Sequence, residues 1–395
     1  MNDTLFHKLQ NFRSALNSTT LEREHVIDGL LASLLSKQNA FLLGVPGTGK
    51  SDLVRNLCKG IKDAKFFGYL LTPTTDPPEI FGPVAVTKLL QDEYTRDTNG
   101  YLPSANIAFL DELFRGSSAI LNSLLTLLNE RTFNNGKESI HTPIESIIAA
   151  TNTWPDEEAL QAFADRFLFR PTVDLLHKPV SKRILDQWAL GITERPTVEE
   201  FLTLDELKEL QHVASQIRPS ERFLDAFGAV WSHLDNRNIT VSDRRRSQIL
   251  KFLQGWAVIQ GDDSLHAEHM HDSLVHIVYE DIEDQPLITE ILEQEIPTAD
   301  RIFAEAKRAA AGIMTEYNTY AHKSKAKGLT ELNDYVLQVR KFHKDINTVK
   351  DKVNQILDGE VYRMSVGTRA KGAKIQQTIQ GHCDNIARAI NELSN

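Results

Sequence analysis

The segment LLGVPGTGKSDL, residues 42 to 53, constrains the fold of this chain more than any other stretch. Its glycines, lysine and serine follow the spacing G-x-x-x-x-G-K-[ST], after an apolar run and before a helical pattern. Glycines let successive backbone N–H groups curl round a phosphate, and the helix N-terminus adds a favourable dipole. A glycine-rich turn without a ligand is the alternative. We predict a phosphate-binding loop between a strand and a helix, formed by Gly44, Val45, Pro46, Gly47, Thr48, Gly49, Lys50 and Ser51.

Two acids at the end of a second apolar run add the groups that hydrolysis needs. Lys50 is expected to bridge the outer phosphates of ATP, and the Ser51 hydroxyl is expected to ligate Mg²⁺. The run NIAFLDE ends in Asp111, which would hold Mg²⁺ through its water shell, and in Glu112, which would activate the attacking water as general base. Without the phosphate loop, both acids would more simply cap the following helix.

A third apolar run, SIIAATN, ends in Asn152. Its amide is suited to orienting a water molecule between two acids and a phosphate. Taken alone, an asparagine in this place would usually be a turn residue. Beside the other two motifs, it is predicted to belong to the same site.

Composition narrows the class of protein. The chain has 395 residues, 41% hydrophobic and 25% charged, as is usual for a soluble globular protein of two or three domains. A formal net charge of −10 argues against nucleic-acid binding over the whole surface. Two distant cysteines fit a reducing compartment, and no apolar run reaches the roughly 18 residues of a membrane span. We therefore expect a cytoplasmic protein without a membrane span.

Three domains are predicted from the order of the patterns. Residues 1–180 alternate apolar runs with helical patterns, which indicates an α/β domain with a parallel sheet. Its strand candidates are NAFLLG, KFFGYLLT, NIAFLD and SIIAATN. Residues 181–290 carry helical patterns without strands, beginning with VSKRILDQWAL and including a helix capped by Thr203. They are predicted to form an all-helical domain.

Residues 291–395 are predicted to form long helices. Apolar residues repeat at three- and four-residue steps over 329–356, as in a coiled coil, and a shorter stripe covers 375–393 after a break at Gly359 and Gly367. The first interpretation is an intramolecular hairpin, in which the second stripe and the helix after Asp300 cover the seam. The second interpretation is a projecting stalk that docks a target or an adaptor.

The three motifs together resemble those of the MoxR family of AAA+ ATPases. LLGVPGTGKSDL, IAFLDE and IIAATN are similar to its Walker A, Walker B and sensor 1 motifs, in the family's order. TTDPPEIFGPV and GYLPSANIAFLDELFRGSSAILNSLLTLLNERTFNNG resemble the branch of regulatory ATPase variant A proteins. The likeness covers about residues 20–260. It implies an AAA+ core with a helical lid, a helix-2 insertion at about residues 76–103, and a hairpin near FNNGKESIHTPIE, where Asn135-Gly136 is independently a strong hairpin signal.

The resemblance also implies a ring, six subunits in the family, with nucleotide between neighbouring subunits. Arg166, in FADRFLFR, matches the family's arginine finger, which would reach the γ-phosphate held by the neighbour. Arg170 is the second choice for this role. Taken alone, Arg166 would more simply pair with Asp165 or another surface acid.

Three arginines open another helix and need an anion. In VSDRRRSQIL, Ser242 and Asp243 are good N-cap residues, so a helix should start near Arg244. Cations in the first turn are disfavoured by a few tenths to about 1 kcal/mol each. The stretch resembles the family's sensor 2 motif, with Arg244 the closest match and the nucleotide's terminal phosphate as the anion. Arg245 is the alternative, one position on; otherwise Arg245 and Arg246 are expected at a subunit interface or in solvent.

Two further clusters are interpreted as ordinary surface. HAEHMHDSLVHIVYE holds four histidines without the H-E-x-x-H spacing, so we expect a solvated helix there rather than a metal site. RKFHKDINTVKDK and TRAKGAK are expected to be charged helix faces, because acids interleave in the first and neither shows an aromatic stacking pattern.

The expected function is that of a ring-forming, Mg²⁺-dependent ATPase that remodels, assembles or activates a protein target. The family resemblance implies, as a partner, a protein with a von Willebrand factor A domain. A nucleic-acid motor is one alternative, which the acidic charge disfavours. A nucleotide-gated scaffold with little turnover is another, which the complete set of Glu112, Asn152 and arginines disfavours.

Overall fold

The computed structural model describes residues 3–155, 157–178, 180, 198–239, 241–279, 282–296, 298–324, 330–358 and 366–394. The chain forms two compact units, Met1–Ile291 and Leu292–Asn395. In these ranges, none of the helices combines the length and the apolar character that crossing a membrane requires.

The elements are numbered along the chain. The strands longer than two residues are β1 (Ala40–Leu43), β2 (Phe66–Leu70), β3 (Ile107–Asp111), β4 (Thr132–Asn135), β5 (Glu138–His141) and β6 (Ser146–Thr151). The helices are α1 (Asp3–Thr19), α2 (Glu24–Leu35), α3 (Lys50–Lys59), α4 (Pro77–Phe81), α5 (Val86–Leu89), α6 (Ser118–Glu130), α7 (Glu158–Ala164), α8 (Leu204–Gln216), α9 (Glu221–Asn236), α10 (Asp243–Gln260), α11 (Ala267–Ser273), α12 (Gln285–Glu295), α13 (Ala299–Ser324), α14 (Thr330–Asp358) and α15 (Val366–Ser394).

A parallel sheet forms the centre of the first unit. Its strands lie in the order β1-β6-β3-β2, and all three pairings are parallel. The two strands β1 and β6 are buried along their whole length, as expected for a sheet covered by helices on both faces. The predicted α/β class is confirmed, and all four strand candidates lie in this sheet.

The chain after α7 extends the sheet beyond β1, which the sequence patterns did not reveal. The Phe41 N–H donates to the Phe169 carbonyl at 2.8 Å, and the Val173 N–H donates to the Leu43 carbonyl at 2.6 Å. This segment is short and contains a proline, so it lacks the long apolar run by which the other strands were found.

The predicted hairpin forms and is fastened to the predicted insertion. Strands β4 and β5 pair antiparallel around Gly136, whose φ of 70° is the left-handed conformation that glycine tolerates. The Asn135 side chain accepts from the Arg96 N–H at 2.6 Å and donates to the Arg96 carbonyl at 3.1 Å. A Cβ on Gly136 would lie 2.2 Å from the Tyr94 carbonyl oxygen. The hairpin tip and the segment around Arg96 are therefore in close contact.

Helix starts in the helical region follow the predicted caps. The Thr203 hydroxyl accepts from the Glu206 N–H at 3.1 Å, and the Glu206 carboxylate accepts from the Thr203 N–H, which forms a capping box. Ser242 caps α10 by accepting from the Arg245 N–H. The absence of strands was wrong in detail, because Arg218–Pro219 pairs with Ser264–Leu265. The segment VSKRILDQWAL lies outside the described residues.

The histidine cluster is not a solvated helix, and that expectation was wrong. His269 is fully buried, and its Nε2–H donates to Asp262 at 2.8 Å while its Nδ1 accepts from the His266 N–H. Burial, helped by nearby His25, lowers the pKa of His276 to about 4. Within the described ranges, no group of three or more His, Cys, Asp and Glu side chains is arranged to hold a metal ion.

The second unit buries its seam internally. Helices α13, α14 and α15 share one apolar cluster, to which α14 contributes Val339, Ile346 and Val353, while α15 contributes Ile379 and Ile386. In the described residues, the apolar seam is therefore covered by helices of the same chain. Helix α15 already begins at Val366, so Gly367 lies in a helix and not in the break.

Two helical glycines offer a test of the packing that joins the sheet to the lid helix. A Cβ on Gly29 of α2 would lie 1.9 Å from the Phe169 ring, which itself stacks on Phe252 of α10 at 5.5 Å. Gly29→Ala should lower the free energy of unfolding by about 1–3 kcal/mol, because the ring has no room to move. The same change at Gly228 of α9, where nothing lies within 4 Å, should raise it by about 0.5–1 kcal/mol. Chemical denaturation followed by circular dichroism measures both, and equal effects would contradict the packing described.

Candidate nucleotide-binding site

Three neighbouring strands deliver the predicted site residues to one edge of the sheet. The phosphate loop follows β1, Asp111 ends β3, and Asn152 follows β6, which lies between β1 and β3. Because parallel strands end at the same edge, these side chains are brought together although up to about a hundred residues separate them in sequence.

The conformation of the predicted phosphate loop depends on its glycines. Gly47 and Gly49 adopt φ values of 83° and 82°, which residues with a Cβ rarely adopt, and nothing lies within 4 Å of where a Cβ would stand. Gly44 is needed for a different reason, since its Cβ would lie 2.3 Å from the Val173 carbonyl oxygen. The Thr48 hydroxyl donates to the Val45 carbonyl at 3.0 Å and steadies the turn.

The two predicted metal ligands touch each other. The Ser51 hydroxyl donates to Asp111 Oδ2 at 2.9 Å. Both oxygens are hard donors of the kind that Mg²⁺ prefers. Lys50 is buried, and its ammonium donates to the Gly44 and Val45 carbonyls. Burial lowers the pKa of Lys50, against the opposing effect of Asp111 and Glu112.

Glu112 is held by its neighbours on both carboxylate oxygens. Asn152 Nδ2 donates to Oε1, and Arg115 Nε lies 3.4 Å from Oε2. Glu112 itself has a φ of 53°, a left-handed conformation that is unfavourable for a residue with a Cβ. Lys50 Nζ donates to Asn152 Oδ1 at 3.4 Å, so the amide lies between the lysine and the acid.

An open cleft of about 420 Å³ surrounds these groups. Its lining includes two residues that sequence reasoning missed, Asp52 and Arg55, which lie on α3 one and four residues after Ser51. Helical spacing alone could have placed Arg55 on the face of α3 that looks into the cleft. The donor set fits a nucleotide with its metal, because a helix N-terminus, a lysine, a hydroxyl and a carboxylate converge on one space.

Arg166 lies in a different place from this cleft. Its guanidinium lines a groove of about 210 Å³ between α6 and α7, together with Ser118, Asn122 and Phe163. The side chain is 34% exposed, and its NH1 lies 3.6 Å from Asp165 Oδ2. The simpler ion-pair interpretation is therefore present in the structure, and the Arg166 side chain as a whole stays partly exposed.

Arg170 is a buried structural residue, and the second choice of arginine finger does not fit. It is 3% exposed, and its NH2 donates to the carbonyls of Ile277 and Tyr279. The guanidinium also lies 4.6 Å from the centre of the Tyr279 ring. A side chain enclosed in this way has no path to a neighbouring subunit.

The three consecutive arginines of α10 separate cleanly. Arg244 is exposed and donates to Asn129 Oδ1 at 3.1 Å. Arg245 is 6% exposed and donates to Asp165 and to the Ile277 carbonyl, so it lies inside the chain and not at an interface or in solvent as expected. Arg246 pairs with Asp235 at 3.1 Å and lies over the Trp231 ring.

Arg244 and Arg166 both lie near α6. The partner of Arg244, Asn129, is in the last turn of α6, and Arg166 lines the groove between α6 and α7. The Asn39 amide donates to the Leu128 and Arg166 carbonyls at 3.3 Å each. The residues that line the cleft come instead from the phosphate loop, α3, Asp111, Glu112 and Asn152. The structure thus places the predicted site residues in two groups. Pro46 to Ser51, Asp111, Glu112 and Asn152 line the cleft, and Arg166 and Arg244 lie near α6 outside it.

Comparison with known families agrees with this arrangement. A model of the MoxR domain in the MoxR-vWA-beta-propeller ternary systems matches residues 7–212. The chain belongs to the MoxR family of AAA+ ATPases. An AAA lid domain model matches residues 223–292, which include the arginines of α10.

Individual relatives extend the likeness over most of the chain. An uncharacterised protein of Methanocaldococcus jannaschii, MJ0079, is 34% identical over 289 residues, 73% of this chain and 74% of that protein. The chaperone MoxR1 of Mycobacterium tuberculosis is 24% identical over 213 residues, 53% of this chain and 55% of that protein. A solved structure from Cytophaga hutchinsonii, described as that of an ATPase, matches with a TM-score of 0.59 at 16% identity, over 74% of this chain and 94% of that one. This last likeness supports the AAA+ fold alone.

Alanine substitutions of the three arginines should separate structural from surface roles in this MoxR protein. Arg245→Ala should lower the free energy of unfolding by about 2–4 kcal/mol, because it removes a buried guanidinium and its hydrogen bonds. Arg246→Ala should cost at most about 1 kcal/mol and Arg244→Ala about 0.5 kcal/mol or less, since both are accessible to solvent. Thermal and chemical unfolding of the three variants gives the comparison. If Arg245→Ala is as stable as the wild type, the hydrogen bonds of Arg245 to Asp165 and Ile277 do not hold α10 against the core.

Proposed function

We propose that this MoxR protein hydrolyses ATP with Mg²⁺ as a ring and uses the hydrolysis to remodel, assemble or activate a protein partner. One observation carries the proposal: the Ser51–Asp111 pair and the Glu112–Asn152 pair meet beside a phosphate loop in the required conformation. Within this reading the α/β core covers residues 1–180, the lid 181–290 and a helical module 291–395.

The loop and α3 would bind the nucleotide. Backbone N–H groups from Gly47 to Ser51 would surround the phosphates, with the ammonium of Lys50 turning from the loop carbonyls to the outer phosphates. Ser51 would ligate Mg²⁺ and Asp111 would hold its water shell. When bound, Mg²⁺ neutralises charge that develops on the β- and γ-phosphates.

Glu112 would take the proton of the attacking water as general base. Asn152 and Arg115 contact its two oxygens and fix the orientation of the carboxylate. No further entropy would then be lost in orienting the base during the reaction. Because Asn152 also contacts Lys50, the orientation of the Glu112 carboxylate would be coupled to the position of the phosphates that Lys50 binds.

Arg166 and Arg244 would act on the nucleotide of the neighbouring subunit in a ring, six subunits in the family expectation. Support comes from their placement, since both side chains are at least partly exposed, both lie near α6, and neither lines the cleft of its own chain. A positive charge delivered by the neighbour stabilises the transition state only when the ring is assembled. Arg244 rather than Arg245 is our assignment for sensor 2, because Arg245 is occupied inside the chain.

The partner is proposed to be a protein that contains a von Willebrand factor A domain. The matching family model describes MoxR domains that occur with vWA and beta-propeller proteins. We assign the chain to the branch of regulatory ATPase variant A proteins on the segments quoted from the sequence, and we place it in the cytoplasm.

Two variants test the chemistry. Lys50→Ala should lose nucleotide binding, whereas Glu112→Gln should bind ATP and hydrolyse it about a hundredfold or more slowly, the scale of a lost general base. Binding of a fluorescent ATP analogue and release of phosphate measure the two effects. Glu209→Gln, an exposed acid on α8, is the matched control and should behave as wild type. Near-normal turnover of Glu112→Gln would remove Glu112 from its role.

The shared site is tested by mixing subunits. Arg166→Ala should bind ATP but hydrolyse it on the order of a thousandfold more slowly, as for other arginine fingers. Mixing it with Lys50→Ala should restore part of the activity, because some interfaces then pair an intact pocket with an intact finger. Full activity of a strictly monomeric protein would contradict the ring.

A further inference from the structure

Asp165 joins the lid helix to the candidate finger. It is the residue that follows α7, and its carboxylate faces two arginines from different parts of the chain. Oδ1 accepts a hydrogen bond from NH1 of Arg245 on α10, and Oδ2 lies 3.6 Å from NH1 of Arg166. One acid therefore balances the charge of an arginine that holds the lid and of an arginine that faces outward.

The attachment of the lid does not depend on this carboxylate alone. Arg245 NH1 also donates to the backbone carbonyl of Asp165 at 3.1 Å, and Arg245 NH2 donates to the Ile277 carbonyl at 2.6 Å. Both carbonyls stay in place when the carboxylate is replaced by an amide. Asp165→Asn is thus expected to remove the hold on Arg166 and to leave α10 bound to the core.

We propose that Asp165 is a positioning residue, which sets the Arg166 guanidinium according to the position of α10. This inference rests on the proposed trans action of Arg166. A shift of α10 on nucleotide binding would move Arg245, and the shared carboxylate would pass that shift to Arg166. Whether nucleotide is bound in a subunit's own cleft would then determine how well its Arg166 is placed at the nucleotide of the neighbouring subunit. The ion pair at 3.6 Å is loose enough to change without breaking a close hydrogen bond.

The chain offers a matched control on the same helix. Arg246, the next residue of α10, pairs with Asp235 at 3.1 Å. The Asp235 side chain is 49% exposed and that of Asp165 is 48% exposed, so Asp235→Asn removes an equally accessible acid from an adjacent arginine. Of these two acids, Asp165 is the one that also contacts Arg166.

The first measurement compares steady-state hydrolysis and ATP affinity. Asp165→Asn should lower kcat by about tenfold and keep the Kd for ATP within about twofold, whereas Asp235→Asn should change neither. In the Arg166→Ala background, Asp165→Asn should have no further effect, because a positioning residue acts only through the group it positions. An additional loss in that background would overturn the proposal and make Asp165 a purely structural link.

The second measurement uses mixed rings and decides the case in which Asp165→Asn damages the fold. Mixed with Lys50→Ala, Asp165→Asn should regain activity, since its intact pockets then meet intact fingers. Mixed with Arg166→Ala, it should stay slow, since neither partner supplies a well-placed finger. Failure to regain activity with Lys50→Ala would show damage to the subunit's own pocket or fold and would overturn the proposal. If Arg166→Ala alone hydrolyses ATP normally, the trans finger itself is wrong and the role of Asp165 falls with it.

Discussion

Parallel alignment of β1, β6 and β3 is the constraint on which the site depends. Hydrogen bonding in a parallel ladder forces the three strands to end at one edge, and that edge receives the phosphate loop, Asn152 and Asp111. The short contacts among Ser51, Asp111, Glu112 and Asn152 follow from that register. A slip of one residue in β3 would turn Asp111 to the other face of the sheet. The predicted metal ligands Ser51 and Asp111 therefore meet only when the core strands pair in this register.

The junction between core and lid is built from buried arginines. Arg170 and Arg245 reach it from different elements and both donate to the Ile277 carbonyl, at 3.0 and 2.6 Å. Burying a guanidinium is costly unless its hydrogen bonds are made, so this arrangement tolerates few alternative positions of α10. The same helix presents Arg244 on its accessible side. Of these two successive residues, Arg245 therefore anchors α10 to the core and Arg244 is exposed.

A second point of rigidity lies where the hairpin meets the insertion. Asn135 makes two hydrogen bonds with the backbone of Arg96. They join the β4–β5 hairpin to the segment between β2 and β3. The asparagine that signals a tight turn in the sequence therefore also binds the segment around Arg96. In the same segment, the side chains of Val86, Leu90 and Tyr94 are exposed. The segment therefore presents apolar side chains to solvent while its backbone is held by Asn135.

The sequence by itself determined the four main strands, the phosphate loop, the helix caps at Thr203 and Ser242, and the MoxR family likeness, because each is written in neighbouring residues and local periodicity. It also predicted that Asn152 belongs to one site with Asp111 and Glu112. Only the tertiary structure decided which arginine of three consecutive ones is buried, that Arg170 is enclosed, that His269 is buried, and that Asp165 lies between two arginines. These outcomes depend on which distant carbonyl, ring or carboxylate stands opposite a side chain. Local spacing carries no information about such partners, because they are set by how α10 packs against the core.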